Sequence, residues 1–237
     1  MKVVPNNNIV SISADVQDTV YVASNVLTEF PLHVWKSTGT SGTLTARVNG
    51  GSTACVYNHN ADTITVTIKT TGGATIEGPT VYDFTTYTYG LDCLWHEYNN
   101  LAFLHDVEIV FEDGREDPVC AGIVFIGGRV EIQNPDAGMR MQWVDYSIRY
   151  QLSCKSSLRV LKALKRNFFM EAPQPRGTNL SYMWEHVKNF SCDKPVPWLI
   201  RDEDTRKFNI YGYMPNYGAA THIYPENSVY PIEIMER

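Results

Sequence analysis

The sequence predicts an α+β protein that is rich in β structure, and three observations carry that expectation. Apolar residues alternate with Thr, Ser and Gly through much of the first half of the chain. Asn-Gly, Asp-Gly and Gly-Gly pairs cut the chain into short segments, which is the punctuation of antiparallel strands. Between Val144 and Phe169 a strand-like alternation passes into Leu at three-residue steps among Arg and Lys, the period of an amphipathic helix.

In chain order, residues 37–76 form a Thr/Ser/Gly-rich region with only Arg47, Asp62 and Lys69 as charges. Within it Leu44, Ala46 and Val48 alternate with polar neighbours before Asn49-Gly50-Gly51, a sequence that reads as a turn. Ile64, Val66 and Ile68 alternate with Thr until Thr71-Gly72-Gly73. Antiparallel strands with one face on a core and a Thr-covered outer face follow from this pattern. After an aromatic stretch from Tyr82 to Tyr98, residues 106–111, 122–126 and 130–133 read as strands, separated by Asp113-Gly114 and Gly127-Gly128. Val144, Tyr146, Ile148, Tyr150 and Leu152 then fall on one face of a single half-buried strand.

Ser156 and Ser157 are natural N-caps for the helix that should follow. Val160, Leu161, Leu164 and Phe168 fall on one side of it and Arg159, Lys162, Lys165 and Arg166 on the other. Pro173 and Pro175 end it. A second short helix is expected over Leu180 to Phe190, and the Pro- and Tyr-rich residues from Lys194 onward read as an extended C-terminal arm. The expected division is residues 1–89, a β-rich region compatible with a β-sandwich insertion; 90–177, an α+β body with one main amphipathic helix; and 178–237, the short helix and the arm.

The composition is 43% apolar and 19% charged, which suits a folded globular chain. A net charge of −6 argues against a general nucleic-acid binder. The N-terminal residues lack the continuous apolar run of a secretory signal, and no stretch reaches the length of a membrane span, so no membrane partner is expected. Five cysteines without a C-x-x-C pair read as buried thiols of a reducing compartment.

The chain carries none of the familiar nucleophile-elbow, phosphate-loop, dinucleotide or zinc-protease motifs, so no catalytic residue and no cofactor is expected. Cys93, His96, His105 and Cys120 are of the types zinc prefers, but their spacing matches no zinc pattern. An aromatic core segment with satisfied histidines explains them better, and no metal is expected. Glu112, Asp113, Glu116 and Asp117 include the residue types of an acid–base pair for glycoside hydrolysis, yet clustered on one turn they read as a solvated loop. The Tyr-rich stretches would suit a carbohydrate-binding groove, or simply a core or an interface.

The charges are segregated. Residues 146–170 hold six basic side chains and no acid, Arg149 among them, whereas residues 106–117 hold six acids and one Arg. Solvation alone accounts for such faces. Two oppositely charged surfaces on one chain also suit head-to-tail contact between copies, which closes into a ring when the rotation allows. Basic faces turned inward would let DNA pass as bare backbone charge.

The run QWVDYSIRYQLSCKSSLRVLKALKRNFFMEAPQP, preceded by hairpins with Gly-Gly turns and joined to a neutral Thr/Ser/Gly-rich β segment, resembles virion proteins of tailed bacteriophages. It is most similar to neck and tail-completion proteins: tail terminators, sheath stabilisers and head-tail connectors. The resemblance covers roughly residues 91–177. It implies a non-enzymatic structural protein made in the host cytoplasm and placed in the virion, acting as a homo-oligomeric ring between other neck or tail proteins. The alternative is a carbohydrate-binding β module for attachment at a tail tip or surface. Arg149, Arg159, Lys162, Lys165 and Arg166, with Glu112, Asp113, Glu116 and Asp117, are the expected partner-binding residues.

Overall fold

The computed structural model describes residues 1–85, 93–114, 117–131, 139–145, 148–151, 157–160, 164–175, 194–203, 208–214, 221–224 and 227–237. The first strands are β1 (Lys2–Val3), β2 (Ile9–Ala14), β3 (Trp35–Lys36), β4 (Ser41–His59), β5 (Thr63–Thr70) and β6 (Thr75–Asp83). They are followed by β7 (Cys93–Glu112), β8 (Cys120–Gly127), β9 (Val130–Glu131), β10 (Arg140–Asp145), β11 (Ile148–Gln151) and β12 (Ser157–Val160). Then come β13 (Leu164–Pro175), β14 (Val196–Leu199), β15 (Asn209–Tyr213), β16 (Thr221–Tyr224) and β17 (Asn227–Glu236). One 3₁₀ helix, Ala23–Leu27, is the only helical segment among the described residues. The chain divides into two units, residues 1–131 with 196–210, and residues 132–195 with 211–237.

In the first unit two long strands are shared by two layers. The ladder runs β3-β8-β4-β7-β5-β6, with β2 added on β4. Up to Asn49, β4 pairs with β2 and with the second half of β7. From Thr53 onward it pairs with the first half of β7 and with β8. The change comes at Gly50 and Gly51, where the register slips. Gly50 has φ 77°, a conformation that suits glycine because it has no Cβ. What reads in the sequence as a turn is therefore a bulge inside a strand. The Gly72-Gly73 turn between β5 and β6 does form, closed by the Gly73 N–H on the Thr70 carbonyl at 2.9 Å.

Leu44, Ala46 and Val48 on β4, Ile64, Val66 and Ile68 on β5, and Val107, Ile109 and Phe111 on β7 join Val56, Leu94, Val124 and Ile126 in one core. Their neighbours in sequence face outward, as the Thr alternation requires. By contrast, Gly51–Tyr57 and Ala121–Gly127 are buried without a break. In the same unit β1 pairs with β9 and β14, and Asn209 at the start of β15 accepts from the Tyr57 hydroxyl at 2.6 Å.

In the second unit β13 pairs with β10 on one side and along nine residues with β17 on the other. β17 also pairs with β16 and with Gly212 and Tyr213 of β15. β11 and β12 form a separate two-stranded sheet.

The α+β expectation is thus corrected to a nearly all-β chain. The residues assigned to the amphipathic helix lie in β12 and β13, with 161–163 outside the described residues. Arg166, Asn167 and Phe168 are all buried, so both faces of β13 are covered here. A strand buried on both sides loses the two-residue alternation that marks it, and its apolar residues then fit a helical period by coincidence. The strand expected over Val144 to Leu152 is split, since β10 pairs with β13 and β11 with β12. Among the described C-terminal residues, Val196–Leu199, Asn209–Tyr213, Thr221–Tyr224 and Asn227–Glu236 are sheet members rather than parts of an extended arm. Leu180 to Phe190 lies outside the described residues.

Candidate interaction surface

Two carboxylates of the acidic run are matched within their own unit. Arg47 on β4 stands opposite Asp106 on β7 and holds both carboxylate oxygens, at 2.9 and 3.1 Å. Lys69 on β5 holds Glu108 at 2.6 Å. Asp113 is buried just after β7, its N–H on the Thr40 carbonyl at 2.8 Å. Glu112 and Asp117 are exposed, and Glu116 lies outside the described residues.

The basic residues separate in the same way. Arg149 on β11 and Arg159 on β12 occupy directly opposite positions of their hairpin. Lys162 lies outside the described residues, and Lys165 is half-buried opposite Val144. Arg166 is 4% exposed and bound to Glu236 of β17. Its backbone N–H donates to Oε2 at 2.8 Å and its Nε to Oε1 at 3.0 Å, with a further short contact from Nη2. Arg166 thus serves the second unit internally.

The four soft ligand types are not brought together. Cys93 donates toward the Asn209 carbonyl at 3.7 Å on one face of β7. His96, on the other face, pairs its Nδ1 with the Tyr82 hydroxyl at 2.8 Å. His105 Nε2 meets the Tyr98 hydroxyl at 3.2 Å, and its Nδ1 the Phe103 carbonyl at 2.9 Å. The Cys120 N–H is held by Asn60. Burial pushes the His96 imidazole below its ordinary pKa, against the pull of Glu77 and Glu97. Burial pushes the Tyr98 hydroxyl up. Among the described residues no group of three or more His, Cys, Asp or Glu could hold a metal ion.

The surface that stands out is the connection between β2 and β3. Val20 is 71% exposed, Phe30 51% and Leu32 86%, with Tyr21 and Leu27 exposed beside them. The backbone beneath is fixed at several points. Ala23, Val26 and Trp35 reach into the core, and Trp35 packs on Phe111 with ring centroids 5.4 Å apart. The Lys36 N–H bonds the Tyr21 carbonyl at 3.0 Å, Asn25 Nδ2 the Val34 carbonyl at 3.0 Å, and the Ala23 N–H the Gln17 side chain at 2.9 Å. Asn58 Nδ2 bonds the Pro31 carbonyl at 2.6 Å, and Gly122 leaves room for that carbonyl. Periodicity does not mark this segment. The signal that would have found it is its density of large apolar residues fitting neither the helical nor the strand period.

The sequence matches no family profile and no curated protein sequence. Two solved chains are similar over 53% of this chain and 98% of their own length. One comes from the crystal structure of reduced XRCC1 bound to the catalytic domain of DNA polymerase β, with 12% identity and a TM-score of 0.40. The other is a chitosan-binding module from a chitosanase/glucanase of Paenibacillus sp. IK-5, with 14% identity and a TM-score of 0.39.

Proposed function

We propose that this chain is a non-enzymatic structural protein that works by associating with further copies of itself through residues 16–34 of the first unit. The observation that carries this reading is the exposure of Val20, Tyr21, Leu27, Phe30 and Leu32 on a backbone already fixed from below. A partner docking there removes apolar surface from water without first having to order a loop. The neck and tail-completion proteins that the sequence resembles work by oligomerising into rings that bind neighbouring rings, and the virion is the setting this reading implies. With Asp106 and Glu108 of the acidic run matched internally and Asp113 buried, an apolar contact explains association better than the charge-on-charge contact expected from the sequence.

Native mass spectrometry and light scattering at low and moderate salt test this. The expected result is a closed oligomer that does not loosen as salt rises, because burial of apolar surface is not screened. Phe30→Ser with Leu32→Ser should weaken association by on the order of 100-fold while leaving the fold unchanged. A monomer under all conditions, or an oligomer indifferent to these substitutions, overturns the reading.

A second reading, carbohydrate binding, is favoured by the exposed rings of Tyr21 and Phe30 in this connection, Phe30 lying 5.2 Å from His33 between ring centroids. Sugar retention on a glycan array that disappears with Tyr21→Ala or Phe30→Ala, in a protein that stays monomeric, would select it.

A further inference from the structure

We infer that β10 is a docking edge for a second copy of this chain, which pairs its own β10 antiparallel to it about a twofold axis at Gln142. β10 ends its ladder, bonded to β13 on one side only, along six residues in unbroken register. The other strands at the margins of the two larger sheets are blunted in ways that discourage further pairing. β3 and β9 are two residues long, β2 and β16 carry a register shift, and β6 carries Pro79 with two shifts. β10 has no glycine, proline or bulge, and Arg140 is its one charge among residues 140–144. The edge is also apolar. Trp143 is 52% exposed and Met141 38%, although Arg166 and Phe168, their cross-strand neighbours on β13, are buried.

A twofold axis normal to the sheet runs β10 against itself and keeps like faces together. Centred on Gln142, it sets Met141 of each copy opposite Trp143 of the other, a sulfur–ring pairing that takes both side chains out of water. Arg140 then stands opposite Val144, and the two Arg140 residues lie about 13 Å apart along the strands. The other face of the strand selects this centre. Gln142 is exposed directly opposite Asn167, which is buried and has no hydrogen-bond partner for its Oδ1. In the pair, Gln142 of each copy is held between Asn167 and the second Gln142, where its amide donates to Asn167 Oδ1 and to its twin. Association thereby satisfies a buried acceptor that the single chain leaves unpaired. This contact goes beyond the one at residues 16–34 and does not rest on it. Five residues a side fall short of the roughly 20–30 of a standard interface, so the expected dissociation constant is about 0.1 mM.

The test uses the full chain carrying Phe30→Ser and Leu32→Ser, which removes the first-unit surface whether or not that surface self-associates. Sedimentation equilibrium over a range of protein concentrations should show monomer and dimer alone. Met141→Lys with Trp143→Lys sets lysine opposite lysine and should raise the dissociation constant at least about tenfold. Disulfide capture reads the register. Gln142→Cys should give a linked dimer under mild oxidation, because residue 142 meets itself across the axis within disulfide reach. Arg140→Cys, about 13 Å from its twin, should give no more linkage than the five native cysteines do. Both positions are exposed, so neither change disturbs the fold. A chain that stays monomeric up to about 1 mM, a dimer that persists with both lysines, or capture at residue 142 no greater than at residue 140 each overturns the inference.

Discussion

Arg166 shows how one residue's environment can reverse its apparent role. In the sequence it belongs to a basic stripe offered to a partner, but in the fold its side chain is 5% exposed and sits against Glu236, itself 21% exposed. A charge taken out of water needs its counter-charge, so removing one partner is far more harmful than removing both. Glu236→Ala should destabilise the second unit by roughly 3 kcal/mol, and Arg166→Met with Glu236→Leu should recover most of that loss. Urea denaturation of the three proteins checks this, and equal stability of the single and the double variant would count against the pair. The same residue marks a limit of the sequence. Nothing within 60 residues of Arg166 announces Glu236; register between β13 and β17 brings them together. His96 and His105 were legible as core histidines because they sit in an aromatic segment, whereas their partners Tyr82 and Tyr98 had to come from the fold; His105 has both ring nitrogens paired, but the buried Nε2 of His96 meets no partner.

At the scale of elements, alternation was the signal that survived. Strands at Leu44–Val48, Ile64–Ile68 and Val107–Phe111 were readable because one face meets a core and the other carries Thr or charge. Where a strand is covered on both faces, as β13 is at Arg166–Phe168, the period disappears and Leu, Arg and Lys spacing imitates a helix. Gly50-Gly51 misleads for another reason. Glycine at positive φ suits a turn and a bulge equally, and only the continued pairing of β4 with β7 beyond it decides. The β2–β3 connection depends on a different glycine. A Cβ on Gly122 would fall 2.3 Å from the Pro31 carbonyl oxygen, a backbone atom with no rotamer to escape into. Gly122→Ala should therefore displace the connection that carries Phe30 and Leu32, destabilise the first unit by about 1–3 kcal/mol, and weaken association although residue 122 is remote in sequence. Denaturation and native mass, measured together, check both effects; a variant with wild-type values in each would show that Pro31 is not held against β8.

At the scale of the whole chain, division into two units was hidden from the sequence because both are discontinuous. Residues 196–210 return to the first unit and 211–237 to the second, so no composition shift marks the boundaries. The two units need not lose stability together, and pH should separate them. In the first unit burial holds His96 below its ordinary pKa, with Tyr82 and Glu77 facing it from β6 and Tyr98 and Glu97 beside it on β7. The two carboxylates favour the protonated ring, but burial prevails. The unfolded chain therefore binds a proton near pH 6.5 that the folded chain still refuses. The stability associated with the neutral ring is fully present above that pH and is lost as pH falls toward the lower folded value. Hydrogen exchange followed by peptide, corrected for the intrinsic pH dependence of the rates, should show the first unit losing protection between pH 7 and pH 5 more steeply than His96→Gln does. If that variant loses protection as steeply as the wild type, the acid sensitivity of the first unit belongs to another group.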